Sequence, residues 1–410
     1  MSALKYWLWL TTRKGLGADG AMTVLDCFQT PERAYFADRE EYEQLPLRPS
    51  QREGLNDKSL SVPDRILADC QRLNLRIMTL TDADYPERLR QISDPPLVLY
   101  IRGKVFNFDE EAAIGVVGAR QPTQYGESCA AKFGLELAAG GALVVSGIAE
   151  GLDACAIRGA LKAGGPVVSV LAGGVDVPFP SRHRFLYEDV AAAGALISEY
   201  PPGTYHVGHH FPRRNRILSG LCLGVLAVEC RAYGGTMSTV NHALEQDRDV
   251  FAIPGALDAP MSEGTNLLIR QGARLVTCGR DILEEYWDRF PEKLKRSMPM
   301  TPEAAAERLE DVRKAQTSDP KEPNENRPPA QPEKKGREKV PIGEQQTRFT
   351  DDERAVLHAL GDKSRTVDEL VDLTQLPARR VLSALTMLQL ESAAEEKPGK
   401  RFEACVELEE

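Results

Sequence analysis

The stretch HHFPRRNRILSGLCLGVLAVECRAYGGT, residues 209–236, holds both the fold signal and the chemistry of this 410-residue chain. It is apolar from Ile217 to Val228, reaches Glu229, and then opens a new periodic segment at Gly234, Gly235 and Thr236. That is the order of a buried strand feeding a helix through a glycine turn, and such a turn presents backbone N–H groups to an anion. Just before the apolar run, His209, His210, Phe211, Arg213, Arg214, Asn215 and Arg216 set an aromatic ring and an amide among cations. Cations hold phosphates, an amide reads a base edge or a phosphate, and a ring stacks on a base, so the segment suits a nucleic acid. Arginines after a proline also serve as a solvated helix end, and RRNR in isolation does not separate the two readings. Glycine turns elsewhere in the chain that converge on the same place favour the first.

Working outward, strands are expected at 114–117, 143–146, 167–171, 195–198, 224–228, 250–253 and 274–277, each followed by a turn and most by a helical pattern. Such alternation of buried strands and helices predicts an α/β fold, a doubly wound parallel sheet. Sheets of this kind bind ligands beyond the carboxyl ends of their strands. Gly118, Ala119 and Arg120 follow the first strand, Ser146, Gly147 and the run to Asp153 follow the second, and Gly173, Gly174 and Asp176 follow the third. Small residues and helix N-termini at these turns would line one crevice suited to a phosphate-bearing ligand.

Several function classes are disfavoured. Lys+Arg 51 against Asp+Glu 61 gives a net charge of −10, so any nucleic-acid site must be local rather than a general basic surface. The eight cysteines form no CxxC pair and several lie in apolar runs, which reads as buried reduced thiols and a cytoplasmic protein. No apolar run is long enough for a membrane span, and the start at Tyr6 to Leu10 is too short for a signal-peptide core. Gly118-Ala119-Arg120-Gln121-Pro122 departs from the G-x-G-x-x-G dinucleotide turn, and no Walker loop occurs, so neither NAD nor an ATP-driven motor is expected. Asp153, Asp176, Glu199 and Glu229 stand singly at turns, as helix caps and arginine partners do. The histidines lack metal-ligand spacing, and no serine or cysteine has a histidine base beside it in sequence. The expectation is no catalytic residue, no metal and no cofactor.

Residues 1–80 carry short amphipathic helical pieces, with a glycine turn at Gly15 and an apolar stripe at Met22, Leu25 and Phe28, as in a helix-hairpin-helix or sterile-alpha-motif-like unit. Residues 81–288 hold the sheet, entered through a proline-marked connector. Residues 289–348 are polar and proline-bearing and read as a disordered linker, with transient helix at 302–316. Residues 349–410 regain periodicity in the order of a winged helix, three helices and then a hairpin at Pro398 and Gly399. Its third helix offers Arg379 and Arg380 near its start, which suits an auxiliary or partner-binding role more than operator recognition.

At these residues the chain resembles the DNA-processing protein A (DprA/Smf) family. The resemblance rests on VVGAR (116–120), SGIAEGLDACA (146–156), VLAGGVDVPFPSRHRFL (170–186), SEYPPG (198–203), FPRRNRILSGL (211–221), VFAIPG (250–255) and EGTNLLIRQGA (263–273). It implies an extended Rossmann-like domain with a C-terminal winged helix, binding single-stranded DNA during natural transformation, protecting it and loading a RecA-type recombinase onto it. A homodimer and no turnover chemistry are expected. Carried onto this sequence, the DNA site comprises Arg120, Phe211, Arg214, Asn215 and Arg216, with Gly118, Ser146, Gly147, His210, Arg213, Gly235 and Thr236 around them. Arg216, entering the apolar run, can instead pair with Glu199 or Glu229 and hold the fold. The chain departs from the family pattern at Ala119, Glu150 and Gly234-Gly235, and Gly208-His209-His210 stands where some members carry a lysine. Affinity is therefore expected to be weaker, or to follow histidine charge near neutral pH. The rival is a nucleoside-monophosphate-processing enzyme of the lysine-decarboxylase-like Rossmann group, whose P-G-G-x-G-T-x-x-E signature places a glutamate three residues after the threonine. Here Thr236 is followed by Met237, Ser238 and Thr239.

Overall fold

The computed structural model describes residues 3–296, 338–340, 349–361, 363–390, 393–397 and 401–408. The chain divides into two compact units, Met1–Arg313 and Lys314–Glu410. In the first, nine strands form one sheet: β1 (Arg76–Thr79), β2 (Val98–Gly103), β3 (Ala113–Val117), β4 (Leu143–Ser146), β5 (Val167–Val170), β6 (Ala195–Ser198), β7 (Gly224–Ala227), β8 (Asp249–Ala252) and β9 (Arg274–Leu275). Their spatial order is β1-β2-β6-β5-β4-β3-β7-β8-β9.

From β6 through to β9 all pairs are parallel, so each of the seven expected strands forms and the doubly wound reading holds. Side chains alternate between two cores. Ile114 and Val116 of β3 enter one with Phe133, Ile157 and Leu186. Ala113 and Val117 enter the other with Ile217, Leu218, Val240 and Leu268. Covering both faces is why these strands read as continuous apolar runs.

The covering helices follow from the same chain order. They are α1 (Leu4–Thr11), α2 (Gly17–Phe28), α3 (Pro31–Phe36), α4 (Arg39–Glu43), α5 (Pro49–Leu55), α6 (Ser61–Arg72), α7 (Glu87–Arg90), α8 (Gln124–Ala139), α9 (Leu152–Lys162), α10 (Arg184–Ala193), α11 (His210–Gly220), α12 (Gly235–Glu245), α13 (Glu263–Arg270) and α14 (Gly279–Leu283).

Two strands are additions to the expected set. β1 and β2 pair antiparallel with each other, and β2 pairs antiparallel with β6, with Tyr100 opposite Ser198. The partner of β2 in the parallel sheet, β6, lies far along the chain, while β1 falls within residues 1–80, where the sequence pattern reads as helical, and β2 follows the proline-marked connector. The helices α1–α6 pack on this edge, where Trp7, Trp9, Val24 and Leu55 share a core with Leu97, Val98 and Tyr100. The helical segment therefore forms a layer of the same compact unit. Within α2 the buried positions are Gly20, Ala21, Val24 and Leu25, a stripe rotated from the one the sequence suggests. None of the eight cysteines is paired, and only Cys70, Cys222 and Cys230 are buried; Cys27 is exposed.

The sheet unit continues past the expected boundary at 288. Phe290 and Leu294 enter the main core, the Lys295 N–H donates to the Gly140 carbonyl at 2.9 Å, and Lys293 pairs with Glu111 at 2.6 Å. A chain ending at Tyr286 is expected to be less stable than one ending at Arg296 by about 3–6 kcal/mol, the loss of the buried Phe290 and Leu294 with the partly buried Trp287. Chemical denaturation of the two truncations measures this, and equal midpoints would show that the segment adds nothing. Apart from 289–296 and 338–340, the expected linker at 289–348, including the helical reading at 302–316, lies outside the described residues.

In the second unit helices span Asp351–Leu360, Val367–Thr374 and Ala378–Leu390. Val356, Leu360, Leu370, Leu385 and Phe402 form its core. Capping boxes Thr350/Glu353 and Thr366/Glu369 start the first two helices, a local signal that explains how closely sequence placed them. Strands Ala394–Lys397 and Arg401–Ala404 pair antiparallel as a wing; its expected turn residues Pro398 and Gly399 lie outside the described residues. Arg380 forks onto Asp352 at 2.5 and 2.7 Å.

Candidate nucleic-acid interface

The strand order reverses between β3 and β7, the position where a doubly wound sheet leaves a crevice at its strand ends. An open crevice of about 760 Å³ occupies that position. One wall is the turn after β3, with Gly118 and Arg120; the opposite wall is the turn after β7, with Arg231, Tyr233, Gly235 and Thr236; Phe211, Arg214 and Asn215 of α11 close the third side.

The turns are tied to each other by backbone bonds. The Ala119 N–H donates to the Glu229 carbonyl at 2.9 Å and the Leu152 N–H to the Ala119 carbonyl at 3.2 Å. The Glu229 carboxylate accepts the Thr123 N–H and hydroxyl at 3.0 and 2.6 Å, which makes it a brace for the start of α8. Asp153 accepts the Gly147 N–H at 3.1 Å, and Asp176 accepts the Gly203 N–H at 2.9 Å. These carboxylates have structural partners, as single acids at turns commonly do.

Arg214 forms the floor. It is 4% exposed; its guanidinium donates to the carbonyls of Gly147 and Val170, and its Nε to the Asn215 side-chain oxygen at 3.2 Å. Burial pulls its pKa down and Asp153 opposes that, while burial pushes the Asp153 carboxyl up against the pull of Arg214. Gly147 is required at this point, since a Cβ there would lie 2.4 Å from the Arg214 guanidinium and 2.6 Å from Asp153. Asn215 also donates from its amide to the Gly235 carbonyl at 3.4 Å, joining α11 to the start of α12.

Above this floor the surface is cationic and aromatic. Arg120 is exposed, and its guanidinium carbon lies 4.6 Å from the centre of the Phe211 ring. Phe211 continues into Phe179 at 5.6 Å and His206 at 6.1 Å, and Phe179 stacks on His206 at 5.1 Å. Arginine over a ring keeps its charge while presenting both a fork for phosphate and a flat face for a base.

The remaining expected site residues lie elsewhere. Arg216 is buried and pairs with Glu199 at 2.6 Å and Asp94 at 3.1 Å, so of its two expected uses it takes the structural one. Glu199 is pushed up by burial, opposed by Arg216 and Arg213. Arg213 is half-exposed, 3.4 Å from Glu199, and faces a separate depression beside Gly17. Ser146 is fully buried and donates to the Val116 carbonyl at 2.7 Å, tying β4 to β3. His210 stacks on Tyr200 at 4.0 Å and contacts the Ala172 carbonyl at 3.1 Å. Burial lowers the pKa of both His206 and His210. Sequence reasoning omitted Arg231, Tyr233, Phe179 and His206. Tyr233 stands in the glycine turn of the opening stretch, whereas Phe179 and His206 come from loops whose meeting no local pattern announces.

Residues 76–287 match the family model described as DNA recombination-mediator protein A. The chain belongs to that family. Residues 325–400 match the winged-helix domain of the same DprA group. The DNA processing protein DprA of Bacillus subtilis is 37% identical over 225 residues, covering 55% of this chain and 76% of that protein. Protein Smf of Synechocystis is 28% identical over 411 residues, covering 97% and 98% of the two chains. The X-ray structure of DNA processing protein A from Streptococcus pneumoniae aligns with a TM-score of 0.62 and 30% identity, covering 70% of this chain and 99% of that one. The DprA assignment agrees with a parallel-dominated α/β sheet followed by a winged helix. Among the described residues no helix is long and apolar enough to cross a membrane, and no group of three or more His, Cys, Asp and Glu residues is placed to hold a metal.

Proposed function

We propose that this member of the DNA recombination-mediator protein A family binds single-stranded DNA in the crevice between the β3 and β7 turns, protects it, and loads a RecA-type recombinase onto it, acting in the cytoplasm as a homodimer without turnover chemistry. The observation that carries the reading is Arg120 lying 4.6 Å over Phe211 at an open crevice, a charged fork joined to a stacking face. An unstacked base can reach such a ring, while a base inside a duplex cannot, so the pair favours single strands. The buried floor supports this use, because the Asp153 carboxylate has Arg214 and Gly147 as its partners within the floor.

Titration of a fluorescent single strand and its duplex at several salt concentrations tests the proposal. Affinity for the single strand should fall with salt with a log–log slope of about −0.7 per neutralised phosphate, and the duplex should bind at least about tenfold more weakly. Salt-independent binding, or equal affinity for the two at moderate salt, would overturn it.

A further inference from the structure

A second groove, of about 500 Å³, runs between α9 and α10. Arg158, Lys162 and Arg182 line it together with Phe185, a residue 81% exposed at the first turn of α10. On a chain of net charge −10, three cations beside an unburied aromatic ring form a local exception. Asp189 is the acid in the same groove. No carboxylate lies within ion-pair distance of Arg158 among the described residues, which leaves its guanidinium facing solvent.

This groove shares a wall with the crevice. The loop 147–151 lines the crevice through Ala149 and Glu150. On its other side the same loop meets the groove, where the His183 ring contacts the Ile148 carbonyl at 3.2 Å and Arg182 pairs with Glu150 at 2.8 Å. Both members of that ion pair are largely exposed, at 68% and 39%. Water screens such a pair strongly, so a phosphate arriving from the crevice can replace Glu150 on Arg182 at little cost.

Resting on the single-strand reading of the crevice, we infer that the groove lined by Arg158, Arg182 and Phe185 is a second subsite for the same strand. The strand leaves Arg120 and Phe211, crosses the loop 147–151 at Arg182, and sets a further base on Phe185 and a further phosphate on Arg158. Cations along the path with a ring between them are the recurring arrangement of grooves that hold single strands without reading sequence.

The test uses the full chain and the variant Arg158→Ala/Phe185→Ala, both sites being exposed and away from the crevice floor, after confirming equal melts. Oligothymidylates of roughly six and roughly 20 nucleotides probe the crevice alone and the extended path. The variant should bind the short strand within about twofold of wild type and the long strand about tenfold more weakly, with a salt slope flatter by about 0.7. Unchanged binding of the long strand would overturn the subsite and leave the groove to a protein partner. Equal losses for both lengths would overturn it too, since the groove would not then extend the path. If wild type binds neither length, the crevice reading fails and the subsite falls with it.

Discussion

Arg214→Ala should destabilise the folded protein by about 3–5 kcal/mol, the range for removing one partner from a buried charged pair. The guanidinium is the meeting point of three crevice elements, bonded to Gly147 of the turn after β4, to Val170 at the end of β5 and to Asn215 of its own helix. Without it the two carbonyls lose their donor and Asp153, whose carboxyl burial already disfavours as a charge, loses its counter-ion. Chemical denaturation measures the loss, and adding Asp153→Asn should recover part of it by removing the stranded charge. An Arg214→Ala protein with the wild-type midpoint but lost affinity for single strands would show instead that this side chain turns outward to the ligand.

Arg120→Ala should leave the melt unchanged and weaken single-strand binding by about 1.5–3 kcal/mol, the value of charged hydrogen bonds to phosphate. Arg120 is exposed, so its removal strands no buried group. The salt slope should flatten with it. Phe211→Ala should cost about 1–3 kcal/mol of binding and leave the slope nearly as it was, because stacking releases no counterion. Since Arg120 lies over the Phe211 ring, the double variant should lose less than the sum of the two. Fluorescence titrations at several salt concentrations supply all of these values. Near-wild-type affinity in folded Arg120→Ala protein would place the strand elsewhere.

The sequence alone determined the parallel strands, the glycine turns at their ends and the three helices of the C-terminal unit. Each is a local signal: apolar runs doubly covered, small residues where the backbone turns, and capping boxes at Thr350 and Thr366. Motif content also marked the crevice, because Gly118-Ala119-Arg120 and the FPRRNR segment are each an unbroken run in the sequence. Tertiary structure decided what each arginine does. On α11 successive residues point about 100° apart, so Arg213 faces a side depression, Arg214 the buried floor, and Arg216 the Glu199–Asp94 pair. The exposed cation at the mouth comes from another turn altogether, at Arg120. The pairing of β2 with β6 and the Phe179–His206–Phe211 cluster were hidden for the same reason. A residue's type and spacing are local, but the direction of its side chain and the strand it pairs with depend on partners far away in the chain.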